Sequence, residues 1–520
     1  MSSFTPHRSG RPAGQDRFPQ LLHAEWTRFR TARGRWLAMA AYVLVTVSLG
    51  LLIAGGARSS CVTGKGEGPC PPPLVGPDGT AVRDKYYFVH QPLKGSGGIT
   101  ARVSDMTGQM RLPDVVPGVR NVKEGVVPWA KAGLLIRRSL TQGTPYAAVM
   151  LTGDHGVRMQ YNFIHDVPGG SHNGPQWLRL IRSGDTITGY ESDDGATWTT
   201  VGAVTLPGLP ETVEIGLFVT SPGALWDMAE AFAQATATFE QIRLQGAYGS
   251  WRRDDVGVTM ESDGTTPHHP GGVVASGDKL IVTGGGDIGP ATAEGGLRAD
   301  LLLIGGAVGM IVVFVVTVTF FLAEHRRGLT GTGLPAEPSP ARSLAAKAVV
   351  VGAVAFVAGL LASGVVIPVG LAVLRANQNP IQPITLTTEL RVMVGYGALT
   401  AAAAVLALGL AALVKQAIVA IVLVVALVVV PYLLAISGLA PWLLMITPAA
   451  GFAITQSIPT FAHVDVGRSP LVGYYPLPPS AGLAVTCGYA ALALGAAIAV
   501  RRRAVPRRPP ATSGPAGSSG

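Results

Sequence analysis

The sequence predicts a polytopic α-helical membrane protein of six transmembrane helices, with an extracellular all-β sandwich inserted after the first. Three observations lead to this class. Mean hydropathy over the 520 residues is +0.37 and only 14% are charged, which is a membrane composition. Residues 301–323 carry no charge, long enough to cross about 30 Å of hydrocarbon, and end at Glu324-His325-Arg326-Arg327-Gly328. Residues 56–298 are polar and alternating, whereas almost everything from 299 to 503 is apolar. The formal charge of +9 does not indicate nucleic acid, because the basic residues stand beside hydrophobic runs, where they set topology.

Taken in order, residues 1–17 are polar. Phe18, Leu21, Leu22, Trp26 and Phe29 then recur at three- and four-residue steps, with His23, Arg28 and Arg30 off the stripe. That is the pattern of a basic amphipathic helix lying on a membrane face. The first span is read at 36–55. It exceeds the apolar core of a signal peptide, and Gly55-Gly56-Ala57 is a poor cleavage site, so the span is retained. Seven arginines and two acids precede it, which places residues 1–35 in the cytoplasm and the insert outside. In that compartment Cys61 and Cys70 are candidates for a small-loop disulfide, with free surface thiols as the alternative.

Within the insert, short alternating runs separated by Gly, Pro and Asp occur at 132–137, 147–151, 157–161, 177–182, 186–192, 197–201, 214–220 and 235–244. Eight such runs argue for a sandwich with its core at about 84–246. Asp194-Gly195 marks a hairpin. The Gly- and Pro-rich flanks are read as loop, with one further strand possible at 279–283.

Behind 301–323 comes a polar loop, 324–345, then spans at 348–374, 392–414, 417–437 and 481–500. The apolar run 439–458 is broken by Pro441, Pro448 and Gly451 and reads as a re-entrant element rather than a span. Residues 504–520 form a polar cytoplasmic tail.

No span carries an Asp, Glu, His, Arg or Lys away from its ends, so the membrane part is expected to lack the groups that ion-coupled transporters place near the midplane. There is no phosphate-loop motif, so the chain carries no ATP site of its own. Glu324 is placed to pair with Arg28 or Arg30, or else to be a solvated helix end. Trp177, Tyr190, Asp194 and Trp198 are candidates for a sugar platform, although Trp177 and Trp198 read more readily as core and Asp194 as a turn residue. The histidines lack metal-ligand spacing and no nucleophile motif occurs, so no enzyme site is expected.

Three motifs carry a resemblance. Residues 21–31, Ala323-Glu324-His325-Arg326-Arg327-Gly328 and Thr447-Pro448-Ala449-Ala450-Gly451 resemble the permease subunits of type-2 ABC exporters of high-GC actinobacteria, over about 1–55 and 299–503. The resemblance implies a homo- or heterodimer of six-span subunits in the cell membrane, bound to separately encoded ATPase subunits that hold ATP and Mg²⁺. It assigns Glu25, Arg28, Arg30, Glu324, Arg326 and Arg327 to the region coupling the two. The loop after Arg327 departs from the family's helical, basic pattern, since Gly331, Gly333, Pro335 and Pro338 interrupt it. The insert resembles concanavalin/laminin-G-type sandwiches over about 84–246, at residues 131–138, 177–182, 189–198 and 214–221, some of which bind glycans. The competing reading is a membrane-anchored glycan-binding or sensing protein without transport.

Overall fold

The computed structural model describes residues 18–63, 66–113, 121–171, 174–226, 229–260, 266–326 and 340–503. The helices are α1 (Phe18–Thr31), α2 (Arg33–Gly56), α3 (Gly306–Arg326), α4 (Pro340–Ala376), α5 (Leu386–Val414), α6 (Ala417–Ile436), α7 (Leu443–Ile446) and α8 (Pro479–Arg503). Among the described residues, six helical segments are long and apolar enough to cross a membrane: α2, Ala299–Ala323, Ala341–Ala376, α5, α6 and α8. Such segments suit hydrocarbon because a helix satisfies its backbone hydrogen bonds internally. Ala32, in extended conformation, separates α1 from α2. Lys415, at φ +59°, ends α5, and its N–H closes on the Ala411 carbonyl before the chain turns into α6.

Two boundaries differ from the sequence reading. Helix α4 starts at Pro340 rather than near 348, with proline at a first-turn position where its missing N–H costs nothing. Lys347 therefore lies within the helix. The broken run after α6 is not a single element: α7 is followed by a 3-10 segment, Pro448–Thr455, in which every residue is buried. Small residues permit this. A Cβ on Gly482 of α8 would come 2.3 Å from the Ala450 carbonyl oxygen, and one on Gly451 would meet Thr486 Oγ1 at 2.2 Å.

The insert forms one β-sheet domain, sandwich-like and nearly closed into a barrel, organised by a strand that the alternation pattern did not reveal, Tyr86–Arg111. Its first half pairs with Thr212–Thr220 and Arg252–Val256, and its second half with Gln176–Ser183 and Ala229–Ala247. One strand therefore serves two layers. The first layer continues through Lys131–Arg137, Tyr146–Thr152, Val157–Tyr161 and His165–Pro168. The second runs outward through Thr186–Ser192 and Thr199–Thr205 on one side, and through Lys279–Gly285 and Gly272–Ser276 on the other. The sheet thus extends beyond residue 246.

Leu93, Ile99, Val103, Leu134, Leu180 and Ile215 fill the space between the layers. The opposite face of the first layer is also covered, by a second cluster that includes Tyr86, Phe88, Phe163, Phe218 and Ile288. Consistent with two covered faces, Lys131–Arg137 and Tyr146–Thr152 are buried at every residue. The insert closes on itself where Val82–Asp84 pairs with Ile288–Pro290, and it meets the bundle where Leu297 bridges Ile381.

Gly482→Val should destabilise the bundle by about 1–3 kcal/mol through overpacking, read as a lower melting temperature in detergent. Gly488→Val on the same helix, where an added Cβ meets nothing within 4 Å, should leave the melting temperature unchanged.

Candidate functional sites at the two ends of the helix bundle

At the end of the bundle that carries the basic residues, α1 is fastened rather than merely adsorbed. Its Glu25 is only 3% exposed and accepts from Lys347 Nζ of α4 at 2.5 Å and from Arg28 at 3.2 Å. Both charges of the Glu25–Lys347 pair are desolvated, so each depends on the other. Phe29 is fully buried, edge-on to Phe320 of α3 at 5.4 Å. The Arg35 guanidinium lies 4.6 Å from the Phe320 ring and donates to the Arg28 carbonyl at 2.7 Å. Arg501 of α8 sits 4.9 Å from the Phe321 ring. Arg28 and Arg30 are exposed, and Phe18 and Trp26 also point outward, so only part of the apolar stripe faces the protein.

Of the residues that the resemblance assigns to coupling, Glu25 is thus built into the α1–α4 contact, while Arg28 and Arg30 border it. The side chains of Glu324 and Arg326, and the whole of Arg327, lie outside the described residues, so the expected Glu324 pairing does too. Lys347 escaped the sequence reading. It stood between the loop read at 324–345 and the span read at 348–374, where nothing signalled a partner 322 positions earlier.

At the other end, the chain before α3 is anchored by a buried ion pair. Arg298 meets Asp300 at 3.3 Å and donates to the carbonyls of Pro470 and Leu471, while Ser457 Oγ donates to Asp300 Oδ1 at 2.5 Å. Arg391 of α5 donates to the Ile454 and Gln456 carbonyls. The loop between Thr455 and α8 reaches into the sheet domain: His463 is buried, donates through Nε2 to the Phe163 carbonyl at 3.2 Å, and lies edge-on to Trp129. Burial, and then the Lys131 charge, push the His463 imidazole below its usual pKa.

Buried charges also tie the first layer to the closing strands. Lys131 binds Asp287 at 2.8 Å and the Ile288 carbonyl at 2.7 Å, and Arg137 binds Asp84 at 3.0 Å and the Tyr86 hydroxyl. His90 has a carboxylate at each ring nitrogen, Glu214 at 2.6 Å and Asp254 at 2.8 Å.

On the sheet surface the aromatic candidates differ from the core reading. Trp177 is half-buried on the outer face, because Leu178 and Leu180 take the inward positions of its strand, and Trp198 is half-buried just before the strand Thr199–Thr205. Arg179 lies 3.7 Å from the Trp198 ring centroid, over the face on which a sugar would stack. Tyr190 is half-buried opposite Arg179. Asp194 accepts from the Thr197 and Ala196 amides and from Ser192 Oγ, which lowers its pKa to about 2. It is occupied by the turn. Cys61 and Cys70 are joined as a disulfide, with Cα atoms 4.8 Å apart.

Replacing Glu25 by Gln or Lys347 by Met alone breaks a buried ion pair and should cost up to about 3–5 kcal/mol, less for Lys347→Met because Glu25 keeps Arg28. The double variant should recover most of that, giving a strong coupling term in melting temperatures of the four proteins. The His463 clasp should respond to pH. A depressed folded-state pKa stabilises the docked loop above the unfolded value near 6.5, and that stability is lost as pH falls through the folded pKa. Hydrogen exchange of residues 459–466 should quicken, relative to its intrinsic rate, between pH 7.5 and 5.5 in the natural protein but not in His463→Asn.

No family model and no curated protein matches the chain. Among solved structures, a functionally unknown protein from Saccharomyces cerevisiae is similar at 13% identity, covering 32% of this chain and 76% of that one, with a TM-score of 0.20. A GH43 protein, BlXynB, from Bacillus licheniformis is similar at 17% identity, covering 32% of this chain and 29% of that one, with a TM-score of 0.17.

Proposed function

We propose that the chain is the six-span permease subunit of an ATP-driven exporter, with both termini cytoplasmic and the sheet domain extracellular. ATP hydrolysis would take place in separately encoded ATPase subunits, and the permease would work as a dimer. The observation that carries this reading is the Glu25–Lys347 pair. It fastens a short, non-spanning, basic helix to the start of α4, directly after the loop that would receive an ATPase. The basic clusters at Arg28–Arg35, Arg326 and Arg501–Arg503 belong to the same end of the chain's spans, as a cytoplasmic face requires.

On this reading an ATPase pushes on α1 and on the loop following α3. The desolvated Glu25–Lys347 pair makes α1 and α4 move together, because separating them breaks a buried ion pair. Tyr42 and Thr400, bonded at 3.2 Å within the core, link α2 to α5 in the same way with a weaker, neutral contact. Motion of α4 then reaches the sheet end, where the bundle opens. The competing glycan-sensor reading has less support, since Asp194 is committed to its turn and Arg179 covers Trp198.

Expressing the chain with the ATPase encoded beside it, and isolating it by a tag on this subunit, tests the proposal. An ATPase retained in equal amount, and released or uncoupled by Glu324→Ala/Arg327→Ala, is the expected result. A folded chain that retains no ATPase would refute it.

A further inference from the structure

A cleft of about 1120 Å³ lies where the sheet domain meets the bundle. It is large enough for a ligand of several hundred daltons, since small-molecule sites run to about 300–1,000 Å³. Its floor is formed by Ser59, just beyond α2, by Pro380, just beyond α4, and by Gly296, just before the span that begins at Ala299. Three spans therefore end at its base, at the level where head groups would lie.

Its charges are mixed in sign. Arg83 Nη1 lies 2.9 Å from Glu230 Oε2, both side chains being mostly buried yet reached from the cleft. Arg83 also donates to Thr292 Oγ1 at 2.8 Å. Lys85 Nζ donates to Thr259 Oγ1 at 2.9 Å, and Asp255 accepts from the Gly271 amide at 2.6 Å. Asp84 and Asp287 also reach the wall but are bound by Arg137 and Lys131. Pro71, Pro72, Pro73, Leu74, Phe232 and Val258 add an apolar stretch of wall, next to the polar Gln142, Ser221, His268 and His269.

We propose that this cleft binds the head group and upper chains of a zwitterionic phospholipid carrying a primary ammonium, drawn from the adjoining leaflet. Among the described residues, four carboxylates and two cations line the space, with His268 and His269 beside them; Asp84 and Asp287 are neutralised from behind by Arg137 and Lys131, which leaves Arg83, Lys85, Glu230 and Asp255 to match one phosphate and one ammonium. When such a head group enters, its phosphate accepts from Arg83 and its ammonium donates to Glu230. Each member of the existing ion pair gains a new partner, and no buried charge is left alone. An anionic head group would satisfy Arg83 but set its phosphate against Glu230 and Asp255. A quaternary ammonium has no N–H to donate to Glu230. The apolar stretch of wall, and a floor at the ends of three spans, select a lipid over a water-soluble zwitterion.

The inference rests on the membrane reading of the helices but not on transport, so a failed ATPase experiment leaves it standing. The test is native mass spectrometry of the full chain in neutral detergent with an equimolar mixture of short-chain phosphatidylethanolamine, phosphatidylcholine and phosphatidylglycerol. Phosphatidylethanolamine should be retained about tenfold over phosphatidylglycerol. Arg83→Gln/Glu230→Gln should abolish that preference. Val258→Trp, which fills the cleft and leaves the ion pair intact, should abolish retention and settles the matter if the charge variant fails to fold. Equal retention of the three lipids, retention that survives Val258→Trp, or displacement of the lipid by excess glycylglycine would overturn the proposal.

Discussion

The pairing of Val82–Asp84 with Ile288–Pro290 holds the two halves of this protein in register. It brings the two ends of a long insert together, so that α2 and the span beginning at Ala299 can pack as neighbours although more than two hundred residues separate them. The pair is short, and two hydrogen-bonded strands in isolation are marginal in water. Its support comes from buried charges on either side, Asp84 with Arg137 and Asp287 with Lys131. A shift of the closing strands by one residue would turn both carboxylates away from their partners, because successive side chains point to opposite faces.

The same economy of buried charge recurs in the bundle. Its described ion pairs lie at the ends of the spans, with Glu25–Lys347 at one end and Arg298–Asp300 at the other. Between them the helices meet through small residues and hydroxyls, as where Ser363 of α4 donates to the Met393 carbonyl of α5. Dispersion and close approach hold such a core, since lipid offers no hydrophobic drive between helices. Rigid ends with a smooth middle suit a bundle whose helices shift as units.

Much of this was legible because it rests on local patterns. Apolar length marked the spans, and alternation between Gly and Asp punctuation marked eight strands. Pro441, Pro448 and Gly451 marked the broken segment. The strand Tyr86–Arg111 was hidden for a physical reason: Gly95, Gly97 and Gly98 look like a break. They are instead the place where the strand bends from one layer to the other, with Gly95 at φ +67° and Gly97 pressed against the Gln245 carbonyl. Trp177 was assigned to the wrong face because alternation gives two faces without saying which is covered, and Trp198, read within a strand at 197–201, stands just before the strand that begins at Thr199. Lys347 and His463 depend on contacts across hundreds of residues, which no window of sequence contains.

The shared strand also bears on how the protein is made. Its two halves are completed by partners that emerge later, Thr212–Thr220 for the first and Ala229–Ala247 and then Lys279–Gly285 for the layer of the second. Neither layer can finish early, and high sequence separation between partners makes such pairing slow. The closing strand Ile288–Pro290 arrives only shortly before the span that starts at Ala299. Completion of the sheet and membrane entry of the second span are therefore neighbouring events in biogenesis, and a delay in one is felt by the other.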